Sequence, residues 1–419
     1  QANPDKVVLP PYYPDHAVLR QDWAKYLDSW LKTDEEVGEI LTDLEKAGRL
    51  DSTAVFLWTD HGVSHLRGKQ FLYEEGMRVP LVIRLPKKKL ARTVRQDLIE
   101  HIDIAACSLK LAGLPIPENI QGRDFLATNY TPRKHVFAAR DRCDETVDIL
   151  RCVRDSRYKY IRNFMSHVPH AQPSQYKDSK KIVQVIRDLH REGKLNEQQS
   201  RPFTSRRPPE ELYDLQSDPH ELINLATDPK HRHRLTKMRK TLHQRMTETR
   251  DMGLIPEPIL EDLGFESGNK YSAFLEKNRV EQTLRLIDVI TTGEARDGAK
   301  LLEYAKSEDP STRYWAAVWL GLNKKEKHKS MLQKLTTDRV PAVRVAAAQA
   351  LCKLGNQEHL KLLVEHIKDP NLLVGMFALR AIEELDDAGK DYRGLISAAQ
   401  KSEYEFSRRI ARRLTEKWR

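Results

Sequence analysis

A spacing of 31 residues recurs in the last third of the chain, and it limits the possible folds more tightly than any other feature. YWAAVWL begins at Tyr314, VAAAQAL at Val345 and MFALRAI at Met376, so each start follows the last by 31 positions (345 − 314 and 376 − 345). An Asp turn precedes each block: Asp309-Pro310, Asp338 and Asp369-Pro370. A period of this length with two helices per unit signals an α-solenoid, in which each repeat buries its apolar face against its neighbours. Alanines on one face let helices approach closely, which is a structural need and implies no chemistry. The final helix, SRRIARRLTEKW from Ser407, reads as a basic cap.

Upstream of the repeats the texture is different. Residues 1–16 are Pro-rich and extended. From Ala17 to Ala47 apolar residues return at three- and four-residue steps (Trp23, Tyr26, Leu27, Trp30, Leu31, Val37, Ile40, Leu41, Leu44), which predicts one long helix ended by Gly48. The run TAVFLW, 53–58, is continuously apolar and suits a strand covered on both faces, as in a parallel α/β sheet. A second such run, 79–85, follows a polar loop, and a helix is expected over 97–112. The order helix, strand, loop, strand, helix is α/β. From His135 the runs become short and alternating, which predicts a small antiparallel sheet interrupted by a Lys-, Arg- and Gln-rich insert at about 173–208 and closed by a helix at 229–250. The expected domains are 1–134, 135–250, a Pro- and Gly-containing linker at 251–290, and the repeats at 291–419.

With 39% hydrophobic and 32% charged residues the chain belongs with folded globular proteins. No apolar run approaches the ~18 residues of a membrane span. The net charge of +10 and pI of about 9.2 favour anionic partners. Lys and Arg are spread through every segment, and the short runs Lys87–Lys89 and Lys180–Lys181 lack interleaved aromatics. Nucleic-acid binding is therefore not expected, and an anionic small substrate fits. The four cysteines form no C-x-x-C pair, so no zinc or redox motif is read. Cys143 and Cys152 are placed to pair across a hairpin, but separate half-buried thiols are the preferred reading.

The residues that carry chemistry stand where the first buried run ends. Asp60-His61-Gly62 leaves a strand together, and in open α/β sheets ligands bind at the carboxyl ends of strands. Gly62 is expected to let the chain turn sharply. A turn with a helix-capping Asp explains the tripeptide equally well when it is taken alone. Its surroundings decide between the two. Asp34…Val37-Gly38, Thr53-Ala54-Val55-Phe56, Thr59-Asp60-His61-Gly62 and Lys69…Tyr73-Glu74…Gly76…Arg78-Val79-Pro80 resemble, in order and spacing, the sulfatase family within the alkaline phosphatase superfamily. ELYDLQSDPHELINLA, 211–226, resembles a signature of the sulfatase C-terminal subdomain, and 139–164 resembles a heparan N-sulfatase-like subgroup. The likeness covers about residues 5–250. The repeats outside it resemble HEAT-like repeats.

The resemblance implies a partial alkaline-phosphatase-like α/β core, a small antiparallel subdomain and an all-α solenoid. It implies a sulfuric ester or sulfamate hydrolase acting on sulfated carbohydrate, with Ca2+ in the complete enzyme and a periplasmic or secreted location. Asp60 would be a calcium ligand, and His61 would lie beside metal and sulfate as ligand or catalytic contact. Calcium prefers oxygen ligands, so a sulfate contact suits the imidazole better. Lys69 would hold a sulfate oxygen and stabilise charge in the transition state. His65, Arg67, Arg140, Arg142 and Asp141 are candidates to reach the sugar, against the alternative of salt bridges or sheet-edge charges. Tyr73, Glu74, Arg78 and Asp214 read as structural.

The family's formylglycine nucleophile comes from a C/S-x-P-x-R motif, and none of the four cysteines begins one. Together with a first residue that is Gln1, this is read as a processed product or a fragment. The strands at 54–58 and 79–85 are then expected to expose apolar faces. The calcium site would keep one or two protein ligands of the roughly 6–8 it needs. The 419 residues alone are expected to bind calcium weakly and to hydrolyse no sulfate ester. Two other readings compete: a phosphodiesterase of the same superfamily, and a non-catalytic HEAT-repeat binding protein on a degenerate sulfatase scaffold. In the latter the repeats take a protein or polysaccharide partner.

Overall fold

The computed structural model describes every residue except 277. Helix α1, Ala17–Lys46, runs unbroken, as its apolar stripe predicts. The His16 ring accepts the Val18 amide at its start, and Gly48, with φ +67°, closes it in the left-handed conformation. Of its stripe only the N-terminal part is covered: Leu19 and Ala24 are buried, while Leu31 and Ile40 stand more than half exposed.

Strand β1, Val55–Trp58, pairs with β2, Leu81–Arg84. The pair is antiparallel, Val55 opposite Arg84 and Trp58 opposite Leu81, which corrects the expected parallel arrangement. A parallel pair needs a crossover that carries the chain back to the same end. Here the connection stays at one end, with only the short helix α2, Glu74–Met77, inside it, and returns the chain as a wide hairpin. Trp58 and Val82 are largely exposed, as expected for apolar strands with an uncovered face. Helix α3, His101–Leu111, begins four residues later than the sequence pattern suggests, at a reciprocal capping box of Glu100 and Asp103.

The antiparallel sheet is present, in the order β3 (Val136–Cys143), β4 (Thr146–Arg154), β5 (Tyr158–Asn163), β6 (Glu210–Asp214). Leu150 faces Asn163 across β4 and β5, and Tyr158 faces Asp214 across β5 and β6. The insert between β5 and β6 is helical. Helices α4 (Gln175–Asp178), α5 (Lys181–Arg191) and α6 (Glu197–Ser200) form it, and α5 turns Ile182, Val183 and Ile186 inward and packs against α1. Helix α7 spans Arg232–Glu248.

The 211–226 signature has a structural explanation. Beyond β6 the chain folds back along this edge strand. Asn224 Oδ1 accepts the Leu212 amide at 2.9 Å, its Nδ2 donates to Glu210 O at 3.0 Å, and the Leu225 amide donates to Leu212 O at 2.8 Å. The edge is thereby satisfied by its own continuation. Asp214 forms a two-point pair with Arg157, in keeping with the structural role expected of it.

Residues Gln1–Arg140, Leu150–Asn163 and Val168–Arg239 form one compact unit, and Asp141–Ile149, Phe164–His167 and Lys240–Arg419 form another. In the first unit an aromatic-rich core gathers Tyr12, Tyr13, Phe71, Tyr73, Cys152, Ile161 and Tyr213. The loop 63–78, read as polar, supplies Leu66, Phe71, Leu72 and Tyr73 to that core. All four cysteines are free thiols, three of them buried.

The second unit is helical. Residues 251–290, expected as a linker with one short helix, carry α8 (Glu257–Glu266), α9 (Lys270–Phe274) and most of α10 (Arg279–Glu294), and bury Leu254, Ile255 and Ile259. Then come α11 (Gly298–Tyr304), α12 (Pro310–Leu322), α13 (Lys329–Leu335), α14 (Pro341–Lys353), α15 (Leu360–His366), α16 (Leu372–Glu384), α17 (Arg393–Ala398) and α18 (Glu405–Lys417). Helices α12, α14 and α16 start at 310, 341 and 372, so the 31-residue period is the spacing of equivalent helices (341 − 310 and 372 − 341). A recurrent arginine stitches the turns. Arg313 donates to Ser307 O and Glu308 O, Arg344 to Asp338 O and Arg339 O, and Arg408 to Ser402 O and Glu403 O. Arg313 also forms a two-point pair with the Asp338 carboxylate, at 2.7 and 2.8 Å.

Candidate functional site

Thr59, Asp60 and His61 leave β1 in a turn held by Thr59 Oγ1 donating to His61 O at 3.0 Å. The Gly62 amide then donates to Gly76 O at 3.1 Å. Gly62 does not take a left-handed conformation, so the reason for glycine here is not the one the sequence suggested. It is close approach: a Cβ at Gly62 would stand 1.7 Å from the carbonyl oxygen of Glu75. Gly76 is confined in the same way, its Cβ position lying 2.4 Å from Phe71 O and 2.5 Å from Gly68 O. The turn after β1 and the turn into α2 are thus pressed backbone to backbone.

Asp60 and His61 line a cavity of about 530 Å³ together with Tyr12, Trp23, Glu75 and Arg67. His61 Nδ1 donates to Gly62 O at 2.7 Å, which leaves Nε2 facing Asp60 Oδ2 at 3.4 Å. The Asp60 side chain is 85% exposed. Among the described residues no group of three or more His, Cys, Asp or Glu side chains is arranged to hold a metal. A cation that takes about 6–8 oxygens would find one exposed carboxylate in this turn, so these residues by themselves do not fit a calcium cage.

Glu75 is the cavity's unusual carboxyl. Tyr12 donates to its Oε2, and Tyr13 Oη lies 3.1 Å from its Oε1. Tyr13 also donates its one proton to Leu66 O, which can only accept. The single phenol proton of Tyr13 is thus shared between Glu75 Oε1 and Leu66 O. Burial pushes the Glu75 carboxyl up to about 7, against the lowering effects of Tyr12, Tyr13, Arg67 and Lys177.

The other residues singled out in the sequence fall into different places. His65 is buried, its Nε2 2.5 Å from Asp22 Oδ2 and its ring enclosed by Tyr13, Trp23 and Tyr26. The same contact holds the Asp22 carboxyl below its ordinary range. Arg67 is buried between the rings of Tyr12 and Tyr73, with φ +71°, and donates to His220 O and Glu221 O. Arg140 is buried with its guanidinium 5.2 Å from the Phe71 ring. Arg142 belongs to the second unit, where it is clamped by both oxygens of Glu257 and by Asp144 O. Glu74, read as structural, joins Lys159, Glu221 and Arg154 in a buried ion network.

Lys69 does not line the cavity of Asp60 and His61. Its ammonium lies 5.0 Å over the ring of Tyr176, from α4. Lys180 Nζ lies 4.8 Å over the same ring and donates to Ser64 O and Ser64 Oγ. Lys177, buried, donates to His65 O and Lys69 O. Sequence reasoning missed Tyr176, Lys177 and Lys180 because they sit in the insert, whose Lys-rich composition reads as a solvated surface.

Comparison with known proteins agrees with the layout. A family model described as Sulfatase matches residues 6–114, and one described as N-sulphoglucosamine sulphohydrolase, C-terminal matches 61–195. Residues 6–195 of the chain are thus similar to sulfatases. A model of HEAT repeats matches 298–383 and 329–414. An ulvan-active sulfatase of Formosa agariphila is 37% identical over 256 residues, 61% of this chain and 43% of that protein. An N-acetylglucosamine-6-O-sulfatase of Bacteroides thetaiotaomicron is 39% identical over 101 residues, 23% of this chain and 18% of its own length. A solved 2-O GAG sulfatase is similar at a TM-score of 0.40 and 19% identity, over 60% of this chain and 51% of that one. The chain spans less than half the length of the curated sulfatases it matches. Among the described residues no helix is long and apolar enough to cross a membrane.

Proposed function

We propose that the chain serves a hydrolase of sulfate esters or sulfamates on carbohydrate, contributing Asp60 and His61 to a calcium and sulfate centre and Lys69 as a sulfate-binding cation. The observation that carries this reading is the position of Asp60-His61 at the end of β1, on a cavity, inside the segment that the Sulfatase model matches and where the match to the second model begins at His61. The named substrates of its relatives, ulvan and N-acetylglucosamine 6-O-sulfate, suggest a sulfated sugar. An extracellular sulfatase homolog of Drosophila melanogaster, 31% identical over 135 residues, fits a location outside the cytoplasm. Calcium, when bound in a complete site, would neutralise the sulfate group. Of that site Asp60 is the oxygen ligand within this chain, and no step is derived through the metal. His61, with Nδ1–H donating to Gly62 O, lines the cavity, and its Nε2 would donate to a sulfate oxygen as an imidazolium. The second unit offers a helical-repeat surface for a protein or polysaccharide partner.

The test is binding and turnover by the 419-residue chain. Sulfated monosaccharide is expected to bind weakly, to lose roughly tenfold or more in affinity in Lys69→Met, as for a hydrogen bond to a charged group, and to be turned over at no measurable rate. Wild-type affinity in Lys69→Met would remove that residue from the site. Turnover by the chain alone would refute its reading as an incomplete centre.

A further inference from the structure

We propose that Lys180 and Tyr176 complete the anion site of Lys69, so that two ammonium groups and one phenol hydroxyl together take a single sulfate group of a sulfated sugar. The inference rests on the reading of Lys69 as the sulfate-binding lysine and names its partners.

Three observations carry it. First, the two ammoniums share one ring, at 5.0 and 4.8 Å, although like charges repel at short range. Among the described residues neither makes an ion pair with a carboxylate. Asp22, the acid that feels Lys180, is committed to His65. Two half-exposed cations without a counter-charge form a place where an anion is favoured. Second, the donors are aimed from both sides by fixed backbone. Lys177, buried beneath, holds the Lys69 carbonyl, and Lys180 is tied to Ser64 by two contacts of 2.6 and 2.7 Å, which leaves one of its three ammonium protons unused. Third, Ser64 Oγ stands 2.7 Å from Tyr176 Oη. With Ser64 donating in that contact, the phenol proton is released for a ligand. The bond from Ser64, then Lys180 and Lys69, lower the affinity of Tyr176 for its proton, so its hydroxyl is a stronger donor than an ordinary phenol.

Sulfate suits the arrangement because its oxygens accept from several donors at once and it keeps its charge at every pH of interest. The phenol also reports on occupancy. A bound anion neutralises the lysines and moves the Tyr176 titration back toward that of a free tyrosine.

The experiment uses the whole 419-residue chain with ring-labelled tyrosine. The Tyr176 resonance, assigned by its loss in Tyr176→Phe, is titrated with pH in sodium sulfate and in sodium chloride of equal ionic strength, and sulfate affinity is measured by calorimetry. Sulfate but not chloride is expected to raise the Tyr176 midpoint. Lys180→Met and Lys69→Met are each expected to weaken sulfate binding roughly tenfold or more, as for a hydrogen bond to a charged group. If Lys69→Met weakens sulfate and Lys180→Met does not, the inference fails while the role of Lys69 stands. If neither does, both fail. Should Lys180→Met not fold, the wild-type titration decides: an unmoved Tyr176 midpoint in sulfate overturns the proposal.

Discussion

The ammonium of Lys177 lies 3.0 Å from the carbonyl oxygen of Lys69. It donates at the same distance to His65 O, so one buried charge holds both ends of the loop that presents Lys69. Lys177→Met keeps much of the aliphatic bulk and removes these donors. We expect a loss of about 2–4 kcal/mol in urea unfolding, since hydrogen bonds to charged groups contribute about 1.5–3 kcal/mol each and are not additive. Amide exchange at 64–70 should quicken with it. Unchanged exchange there would show that the loop is held by its apolar residues alone.

Gly62→Ala puts a methyl 1.7 Å from Glu75 O, against backbone that has no room to yield. The variant is expected to lose about 3 kcal/mol or more, or to fail to fold, because overpacking combines with a broken backbone contact. Gly38→Ala, in α1 with nothing within 4 Å of the new Cβ, is the opposite case and should stabilise by up to about 1 kcal/mol. Thermal melts of the two variants check both signs; equal effects would discount the close approach.

Glu75 gives a pH dependence with a defined sign. Its folded value, about 7, lies above its ordinary 4.5. Between those values the folded chain keeps a proton that the unfolded chain has released, so stability falls as pH rises through this window. The full penalty, at most about 3 kcal/mol, is present above pH 7 and absent below 4.5. Glu75→Gln removes it, and is expected to be more stable than wild type at pH 8 and equal to it at pH 4.5. A difference that does not change with pH would mean that Glu75 titrates like an ordinary carboxylate.

In the second unit, Asp338→Ala leaves Arg313, nearly buried, without its carboxylate. Removing one partner of a buried pair typically costs about 3–5 kcal/mol. Arg313→Leu combined with Asp338→Ala should recover part of that loss, a coupling readable in a double-mutant cycle of unfolding free energies. Strict additivity of the two single variants would sink it.

The repeats were legible because their signal is one of period, and a period survives without any knowledge of contacts. The Asp turns were legible for the same reason. The arginines that bind the turn carbonyls were not, since Gly375 occupies the corresponding place in α16 and breaks the pattern. The sulfatase resemblance pointed to Asp60, His61 and Lys69 but not to their separation, because short motifs encode neighbours along the chain and not the cavity each side chain enters. His65, Arg67 and Arg140 read as polar loop and sheet-edge residues. Their burial depends on aromatic rings from Tyr12, Tyr13, Trp23 and Phe71, which sequence patterning assigns to no common place. The antiparallel pairing of β1 and β2 was hidden too, since an apolar run specifies that a strand is covered and not the direction of its partner.

The backbone contact between Gly62 and the Glu75–Gly76 peptide has a consequence for how such chains can change. Two motifs 14 residues apart meet through backbone alone, the Gly62 amide on Gly76 O and the Gly62 Cβ position against Glu75 O, while Gly76 is confined separately by Phe71 O and Gly68 O. Each glycine therefore keeps a steric reason of its own, so both would be retained by the need to fold even in a lineage where the chemistry at Asp60 had already been given up.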